Sequence, residues 1–180
     1  MARAQMEMGG KNPTLVLADA DLDLAARLVA IAGFGLTGQA CTATSRVIVE
    51  RSVADAFTAK LIEKAQAIVV GNGLKPGVTM GPAVSKAQLE GNLNYIAIAQ
   101  QEGATLLCGG ARLTDGDLAH GYFMQPTVLG NVAPAARIAC EEVFGPVVGI
   151  IPVDGLDEAL AVANSVDVGL SASRVTRDLK

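Results

Sequence analysis

The chain has 180 residues, of which 51% are hydrophobic and 18% are charged, a composition typical of a folded domain that excludes a disordered chain. A formal net charge of −4 without any cluster of lysine or arginine excludes a surface made for nucleic acid or an anionic membrane. No apolar run reaches the roughly 18 residues of a membrane span, and the N-terminus lacks the order of a signal peptide, so we expect a cytoplasmic protein.

The cysteine and histidine content narrows the kinds of site that are possible. The three cysteines, at positions 41, 108 and 140, are an odd number without CxxC spacing, and His120 is the single histidine. These residues predict neither a disulfide framework nor a zinc site. We therefore expect no metal in this protein.

The first half of the chain alternates between strand and helix patterns. Ser52 followed by Asp55 resembles a capping box and predicts a helix start. The predicted elements are, in order, a strand at 13–17, a helix from Leu22 to about Thr37, a strand at 46–50 and a helix at 53–69.

The second half continues the alternation, which predicts an α/β fold with a mostly parallel sheet flanked by helices. The predicted elements are a helix at 85–101 opened by Ser85 and Gln88, strands at 104–108, 126–129 and 147–153, a helix from 154 or 155 to about 164, and a strand at 169–175. The aliphatic run at 147–153 indicates a strand covered on both faces. Arg174 places a charge within the last predicted strand, where burial would be destabilising.

Cys41 is the first candidate for chemistry. It lies in the run GQACTATSR at 38–46, a stretch of small and hydroxyl residues between a helix pattern and a strand pattern. A thiolate in such a loop is a strong nucleophile toward a carbonyl carbon. A free cysteine is more often a small buried apolar residue, and Cys108 takes that interpretation within its apolar strand. Cys140 adjoins two glutamates and remains ambiguous.

Glu7 is a candidate general base. Met6, Met8, Gly9 and Gly10 surround it, and apolar surroundings could desolvate its carboxyl group and raise its basicity. A solvated surface charge is the alternative.

Two glycine-rich stretches do not match nucleotide-binding loops. The glycine and hydroxyl residue that a phosphate loop requires around Lys11 are replaced by Gln5 and Asn12. Residues 71–73 follow a helix pattern and lack the third glycine of a dinucleotide fingerprint.

Three segments together carry a family resemblance. They are EMGGK at 7–11, GQACTA at 38–43 and EEVFGP at 141–146. In this order they resemble the general-base, nucleophile and cofactor segments of the NAD(P)-dependent aldehyde dehydrogenase superfamily. The stretches at 11–13, 80–82 and 169–173 are also similar to that family.

The resemblance implies a fold, a reaction and a set of site residues. The fold would be the α/β catalytic domain of that family, and NAD or NADP would be the cofactor. Cys41 would attack an aldehyde and Glu7 would activate the water that hydrolyses the thioester. Glu142, Phe144 and Gly9 would contact the cofactor, with Glu142 on the nicotinamide ribose. A solvated acid and a core aromatic ring are the alternatives for Glu142 and Phe144.

The resemblance also implies that residues 1–180 are an incomplete catalytic domain. The dinucleotide-binding domain, with an asparagine of the oxyanion hole, and a C-terminal tail would lie outside it. We therefore expect the isolated chain to be inactive and prone to self-association, and the full-length parent to be a homo-oligomer. Ala40 beside the thiol resembles the branch that acts on 2-oxoglutarate semialdehyde and similar aliphatic semialdehydes.

Two alternatives stay open. The chain could be a non-catalytic remnant, an interaction module that packs against family subunits. It could also be an acylating enzyme that passes the thioester to coenzyme A, although Glu7 favours hydrolysis because such enzymes commonly lack that glutamate.

Overall fold

The structure is a computed structural model that describes residues 3–178. Its strands are β1 (Asn12–Val16), β2 (Thr44–Glu50), β3 (Thr105–Cys108), β4 (Thr127–Gly130), β5 (Val147–Val153) and β6 (Ser173–Val175). Its helices are α1 (Leu22–Phe34), α2 (Arg51–Gln66), α3 (Lys86–Gln101), α4 (Arg137–Cys140) and α5 (Leu156–Ala163). Short 3-10 segments cover Gly35–Gly38 and Gly116–His120.

The strands form one six-stranded sheet in the order β3-β4-β5-β2-β1-β6. Every neighbouring pair is parallel except β3 and β4, which are antiparallel. The α/β fold with a mostly parallel sheet is therefore confirmed.

Helices cover both faces of the sheet. One apolar cluster joins the sheet to α1 and α2, and a second joins it to α3, α4 and α5. In β5, Val148 and Ile150 belong to the first cluster while Val147 and Ile151 belong to the second. This alternation explains the aliphatic run at 147–153, since both faces of a central parallel strand are buried.

One of the two helix caps that the sequence predicts is present, at Ser85, and Asp21 supplies a further one. The Asp21 carboxylate accepts from the Leu24 N–H at 3.0 Å, and the Ser85 hydroxyl accepts from the Gln88 N–H at 3.1 Å. The predicted Ser52 cap of α2 is wrong. Strand β2 runs directly into α2 at Arg51, so Glu50 occupies the cap position and its side chain makes no capping bond.

The C-terminal strand is shorter and more exposed than the sequence predicts. Only Ser173–Val175 of the predicted 169–175 forms β6, which among the described residues pairs with β1 alone and lies at the edge of the sheet. Arg174 is exposed there, so the expectation of a destabilising buried charge is wrong.

No helix within residues 3–178 is long and apolar enough to cross a membrane.

Arg46 is a buried cation that joins three elements. Its guanidinium donates to the carbonyl of Lys11 at 2.9 Å and to the carbonyls of Val162 at 3.0 Å and Ala163 at 2.9 Å. The last two belong to the final turn of α5, where the regular helical hydrogen bonds end, and the Val162 carbonyl also accepts from the Ser165 hydroxyl at 2.8 Å. Arg46 thus holds β2, the entry to β1 and the end of α5 together.

We predict that Arg46→Met lowers the free energy of unfolding by about 3 kcal/mol, because three largely buried carbonyls lose charged donors. Urea denaturation of the chain measures the change. Arg174→Met is the control, and it should stay within about 0.5 kcal/mol of the unmodified chain because it alters an exposed edge position. Equal effects of the two substitutions would contradict the role of Arg46.

Candidate active site

The three sequence segments meet at one edge of the sheet. Residues 7–11 lead into β1, residues 38–43 into β2 and residues 141–146 into β5. These three strands are parallel neighbours in the order β5-β2-β1, so their amino ends lie side by side. The sheet therefore brings together segments that are far apart in the sequence.

Glycines allow the backbones of the three segments to touch. A Cβ atom on Gly10 would lie 2.6 Å from the Cys41 carbonyl oxygen. Gly38 has a φ of 65° and packs directly against the Gly145 carbonyl, where a side chain would overlap it. Only glycine fits at positions 10 and 38, which explains the glycines at these two contacts.

Cys41 lies at the corner of a turn formed by residues 40–43. The Ala43 N–H donates to the Ala40 carbonyl at 2.9 Å, which closes the turn. The Cys41 thiol is free and its residue is exposed. Within the described residues, the Cys41 backbone N–H donates to no acceptor. The turn therefore presents a nucleophile and an available amide donor from the same residue.

The other two cysteines are less accessible. Cys108 is half-buried in β3, and this burial raises the pKa of its thiol. Cys140 is also half-buried, with its Sγ 3.4 Å from the Pro134 carbonyl oxygen. Cys41 is thus the only exposed thiol of the three.

Glu142 and Gly9 lie next to each other, as predicted cofactor-contacting residues must. The Gly10 N–H donates to Glu142 Oε1 at 2.9 Å, and a Cβ atom on Gly9 would lie 3.0 Å from Glu142 Oε2. Within residues 3–178, Oε2 has no hydrogen-bond partner. The exposed Glu142 carboxylate can therefore accept a hydrogen bond from a hydroxyl group of a ligand.

Glu141 differs from its neighbour because its carboxylate is already engaged. It accepts hydrogen bonds from Arg137 at 2.8 and 2.9 Å and from the Tyr95 hydroxyl at 2.6 Å. These bonds, with that from Arg137 the strongest, lower the pKa of Glu141 to about 2. Of the two glutamates, only Glu142 has a carboxylate oxygen free for a ligand.

Phe144 is partly exposed and its backbone is held in an uncommon conformation. Its side chain is 37% exposed and its φ is 57°, in the left-handed region. The Gln88 side chain donates to the carbonyls of Val143 at 2.9 Å and Phe144 at 3.1 Å. The sequence pattern predicted only a helix-capping role for Gln88. Nothing else in the sequence indicated these two contacts.

Glu7 does not lie in the apolar surroundings that the sequence suggested. Glu7 is exposed, and its neighbours Met6 and Met8 are 74% and 54% exposed. Its carboxylate accepts one hydrogen bond, from the Gln5 side chain at 3.3 Å. The predicted desolvation of Glu7 is therefore wrong for the described residues. Gly10, three positions later in the same segment, is the residue that contacts the Cys41 carbonyl.

Lys11 is a buried cation with no direct partner. Its residue is 2% exposed, and its ammonium makes no hydrogen bond or ion pair with the described residues. Burial, and to a smaller degree the nearby Arg46 charge, lowers the pKa of Lys11 to about 8, while Cys140 and the two glutamates at 141–142 oppose the shift.

Within residues 3–178 no cluster of side chains is suited to hold a metal ion.

We predict that iodoacetamide labels Cys41 at least about tenfold faster than Cys108, because Cys41 is exposed while burial keeps the Cys108 thiol protonated. Peptide mass mapping at limiting reagent measures both rates in one sample. Cys41→Ser should remove the fast phase and leave the slow labelling unchanged. Preferential labelling of Cys108 would contradict the assignment.

We also predict that deprotonation of Lys11 raises the free energy of unfolding as the pH increases from about 8 to 10.5. The unfolded chain binds more protons than the folded chain in this window, since the folded pKa is the lower one. The gain amounts to about 3 kcal/mol, and Lys11→Met should remove it. Urea denaturation of both proteins across the window measures the difference. Stability curves with the same slope would show that Lys11 is not desolvated.

Comparisons with known proteins bear on this site. The chain is 49% identical over 178 residues to an alpha-ketoglutaric semialdehyde dehydrogenase of Bacillus subtilis (strain 168). It is 53% identical over 176 residues to an alpha-ketoglutarate semialdehyde dehydrogenase of Haloferax volcanii. These matches cover 99% and 98% of the chain but 36% of each relative, so the chain spans about a third of their length.

Solved structures agree with the fold. A betaine aldehyde dehydrogenase of Staphylococcus aureus in complex with NAD+ matches with a TM-score of 0.92 and 38% identity, over 94% of this chain and 34% of that one. A lactaldehyde dehydrogenase of Escherichia coli matches with a TM-score of 0.90 and 37% identity, over 95% and 35% of the two chains. The profile of the aldehyde dehydrogenase family matches residues 1–180, and the chain belongs to that family.

Proposed function

We propose that this chain is the cysteine-bearing part of an enzyme that oxidises an aliphatic semialdehyde to a carboxylic acid with NAD or NADP. The observation that carries the proposal is the exposed Cys41 thiol on a turn whose own N–H is free, next to the Glu142 segment. The Bacillus and Haloferax relatives are semialdehyde dehydrogenases, which supports a semialdehyde as substrate.

Cys41 performs the first bond-forming step. Its thiolate attacks the aldehyde carbon, and the carbonyl oxygen becomes an oxyanion as the carbon–sulfur bond forms. The Cys41 N–H donates to that oxyanion. Hydride then leaves the resulting thiohemiacetal carbon, for which the bound nicotinamide supplies the acceptor, and a thioester on Cys41 remains.

Glu7 completes the reaction by activating water. Its carboxylate removes a proton from water as the water attacks the thioester carbon, and the carbon–sulfur bond breaks to return the Cys41 thiolate. Gly9 and Gly10 connect Glu7 to the contact with the Cys41 turn. The exposure of Glu7 leaves its carboxylate accessible to water.

Glu142, Phe144 and Gly9 fit one end of a dinucleotide. Glu142 Oε2 is free to accept from a ribose hydroxyl, and the part-exposed Phe144 ring offers an apolar surface. The missing side chain of Gly9 leaves room directly beside the Glu142 carboxylate. These residues hold only the nicotinamide end, so we place the rest of the cofactor on a dinucleotide-binding domain outside residues 1–180.

The isolated chain is therefore inactive in this proposal. Correct placement of reactants can account for roughly 7 to 11 kcal/mol of a barrier, and the residues above cannot place the whole cofactor. The proposed parent enzyme works as a homo-oligomer in the cytoplasm, where the three free cysteines of this chain stay reduced.

A non-catalytic interaction module is the second candidate. Leu28 and Ile31 on α1 and Leu36 after it are exposed. Exposed apolar side chains of this size favour packing against another protein surface and self-association of the isolated chain. Activity that depends on Cys41 distinguishes the two candidates.

The experiment places this chain in an intact enzyme. Residues 1–180 replace the matching third of the Bacillus relative, and the product is called the chimera. We expect the chimera to form NADH or NADPH from aliphatic semialdehydes and to lose this activity with Cys41→Ala. The isolated chain should form neither product. Activity that survives Cys41→Ala would overturn the proposal.

Glu7→Gln tests the second half of the reaction in the same chimera. We expect a rapid first turnover followed by a steady rate that is about 100-fold or more lower, because the amide cannot accept the proton from water. Rapid-mixing absorbance at the reduced-nicotinamide band separates the two phases. Equal slowing of both phases would argue for a structural role of Glu7.

A further inference from the structure

The backbone carbonyls of the turn at residues 40–43 are all hydrogen-bonded. One bond lies within the turn, and side chains from two other segments supply the rest. The donors are the Ala43 N–H to Ala40 O at 2.9 Å, Asn12 Nδ2 to Cys41 O at 2.8 Å and to Ala43 O at 2.9 Å, and the Ser171 hydroxyl to Thr42 O at 3.4 Å.

Asn12 makes two of these bonds and is itself fixed. It is 3% exposed, and its Oδ1 accepts from the Ser171 N–H at 3.0 Å. It lies at the start of β1, where the pairing with β2 shifts register between Asn12 and Pro13. Both amide hydrogens and the amide oxygen of Asn12 therefore have partners, which leaves its side chain one orientation.

The engaged carbonyls determine where the Cys41 N–H points. A trans peptide is planar, and its N–H points opposite to its C=O. The Ala40 carbonyl accepts within the turn, so the N–H of the same peptide, which belongs to Cys41, points out of the turn. The bond from Asn12 to the Cys41 carbonyl fixes the next peptide plane and thereby limits rotation on both sides of the Cys41 Cα.

We propose that Asn12 is a positioning residue for the reaction of Cys41, which it serves by clamping the turn so that the thiol and the outward N–H keep their relative geometry. Asn12 touches neither the aldehyde nor the cofactor and acts through the Cys41 backbone. The catalytic consequence of this inference rests on the proposed function. The hydrogen bonds that form the clamp do not depend on that function.

The amide of asparagine suits this task for a chemical reason. Its NH₂ group carries two hydrogens and reaches two carbonyls at once, while its oxygen accepts from Ser171. An aspartate has the same shape but donates nothing and faces two carbonyl oxygens. A serine has one hydrogen and can satisfy at most one carbonyl.

The first measurement examines the clamp in the 180-residue chain, without catalysis. Hydrogen exchange by NMR follows the Ala43 amide, with the Val148 amide in β5 as internal reference. We expect Asn12→Asp to speed exchange at Ala43 by about tenfold and to leave Val148 unchanged, since only the turn opens. Asn94→Asp, the same charge change on the exposed face of α3, is the control. If Asn12→Asp does not fold, Asn12→Ser serves in both measurements with a smaller expected effect.

The second measurement examines the reaction in the chimera with the Bacillus relative. Rates are normalised to the folded fraction of the enzyme, measured by the protection of Cys108 from iodoacetamide. We expect Asn12→Asp to lower kcat by about tenfold or more with KM within about twofold, because oxyanion stabilisation acts in the transition state. Asn94→Asp should change neither parameter.

The outcomes separate the clamp from the proposed function. Unchanged exchange at Ala43 would overturn the inference, whatever the enzyme does. Faster exchange with an unchanged kcat per folded enzyme would overturn the positioning role. Activity that persists in Cys41→Ala would refute the proposed function instead, and the exchange data would still report on the clamp.

Discussion

The parallel pairing of β1 with β2 is the constraint on which the site depends. Asn12 pairs with Thr44, and after a shift in register Pro13 pairs with Arg46. Because the strands run in the same direction, the segments that precede them emerge at the same edge, where Gly10 lies against the Cys41 carbonyl. The pairing of β2 with β5 adds residues 141–146 on the other side. Without this strand order, the three segments would be separate loops.

The position of the site at the amino ends of the strands has an electrostatic consequence. Ligands of open parallel sheets commonly bind at the carboxyl ends, where helix N-termini offer N–H groups and partial positive charge. Here the chain instead passes from the end of α1 through Gly35–Gly38 into the Cys41 turn. No helix N-terminus points at Cys41 through this connection, so the proposed reaction assigns the stabilisation of a negative oxygen to the turn's own amide. The free Cys41 N–H and the clamping by Asn12 follow from the same arrangement.

The sequence predicted most of the fold because its patterns are local. Apolar periodicity gave α2 and α3, and the aliphatic run at 147–153 gave β5, since burial on one or both faces leaves a direct trace in residue order. Long-range contacts leave no such trace. Gln88 donates to carbonyls more than 50 residues away, so only the structure shows its contact with Phe144. In the sequence, Asn12 was noted only as a mismatch to a phosphate-loop motif, and its bond to the Cys41 carbonyl also required the structure. The prediction for Glu7 failed for a different reason, because its apolar neighbours in the sequence are themselves exposed and do not bury its carboxylate.

The central claim is that Cys41 carries the acyl group during the reaction, at a site assembled by the β5-β2-β1 edge. Acid quenching of the Glu7→Gln chimera with aldehyde and NAD during turnover, followed by peptide mass mapping, tests it most directly. We expect the mass of the acyl group on the peptide that contains Cys41, in an amount close to one per active subunit. Acyl mass on a peptide containing Cys108 or Cys140, or an unmodified Cys41 peptide during steady turnover, would contradict it.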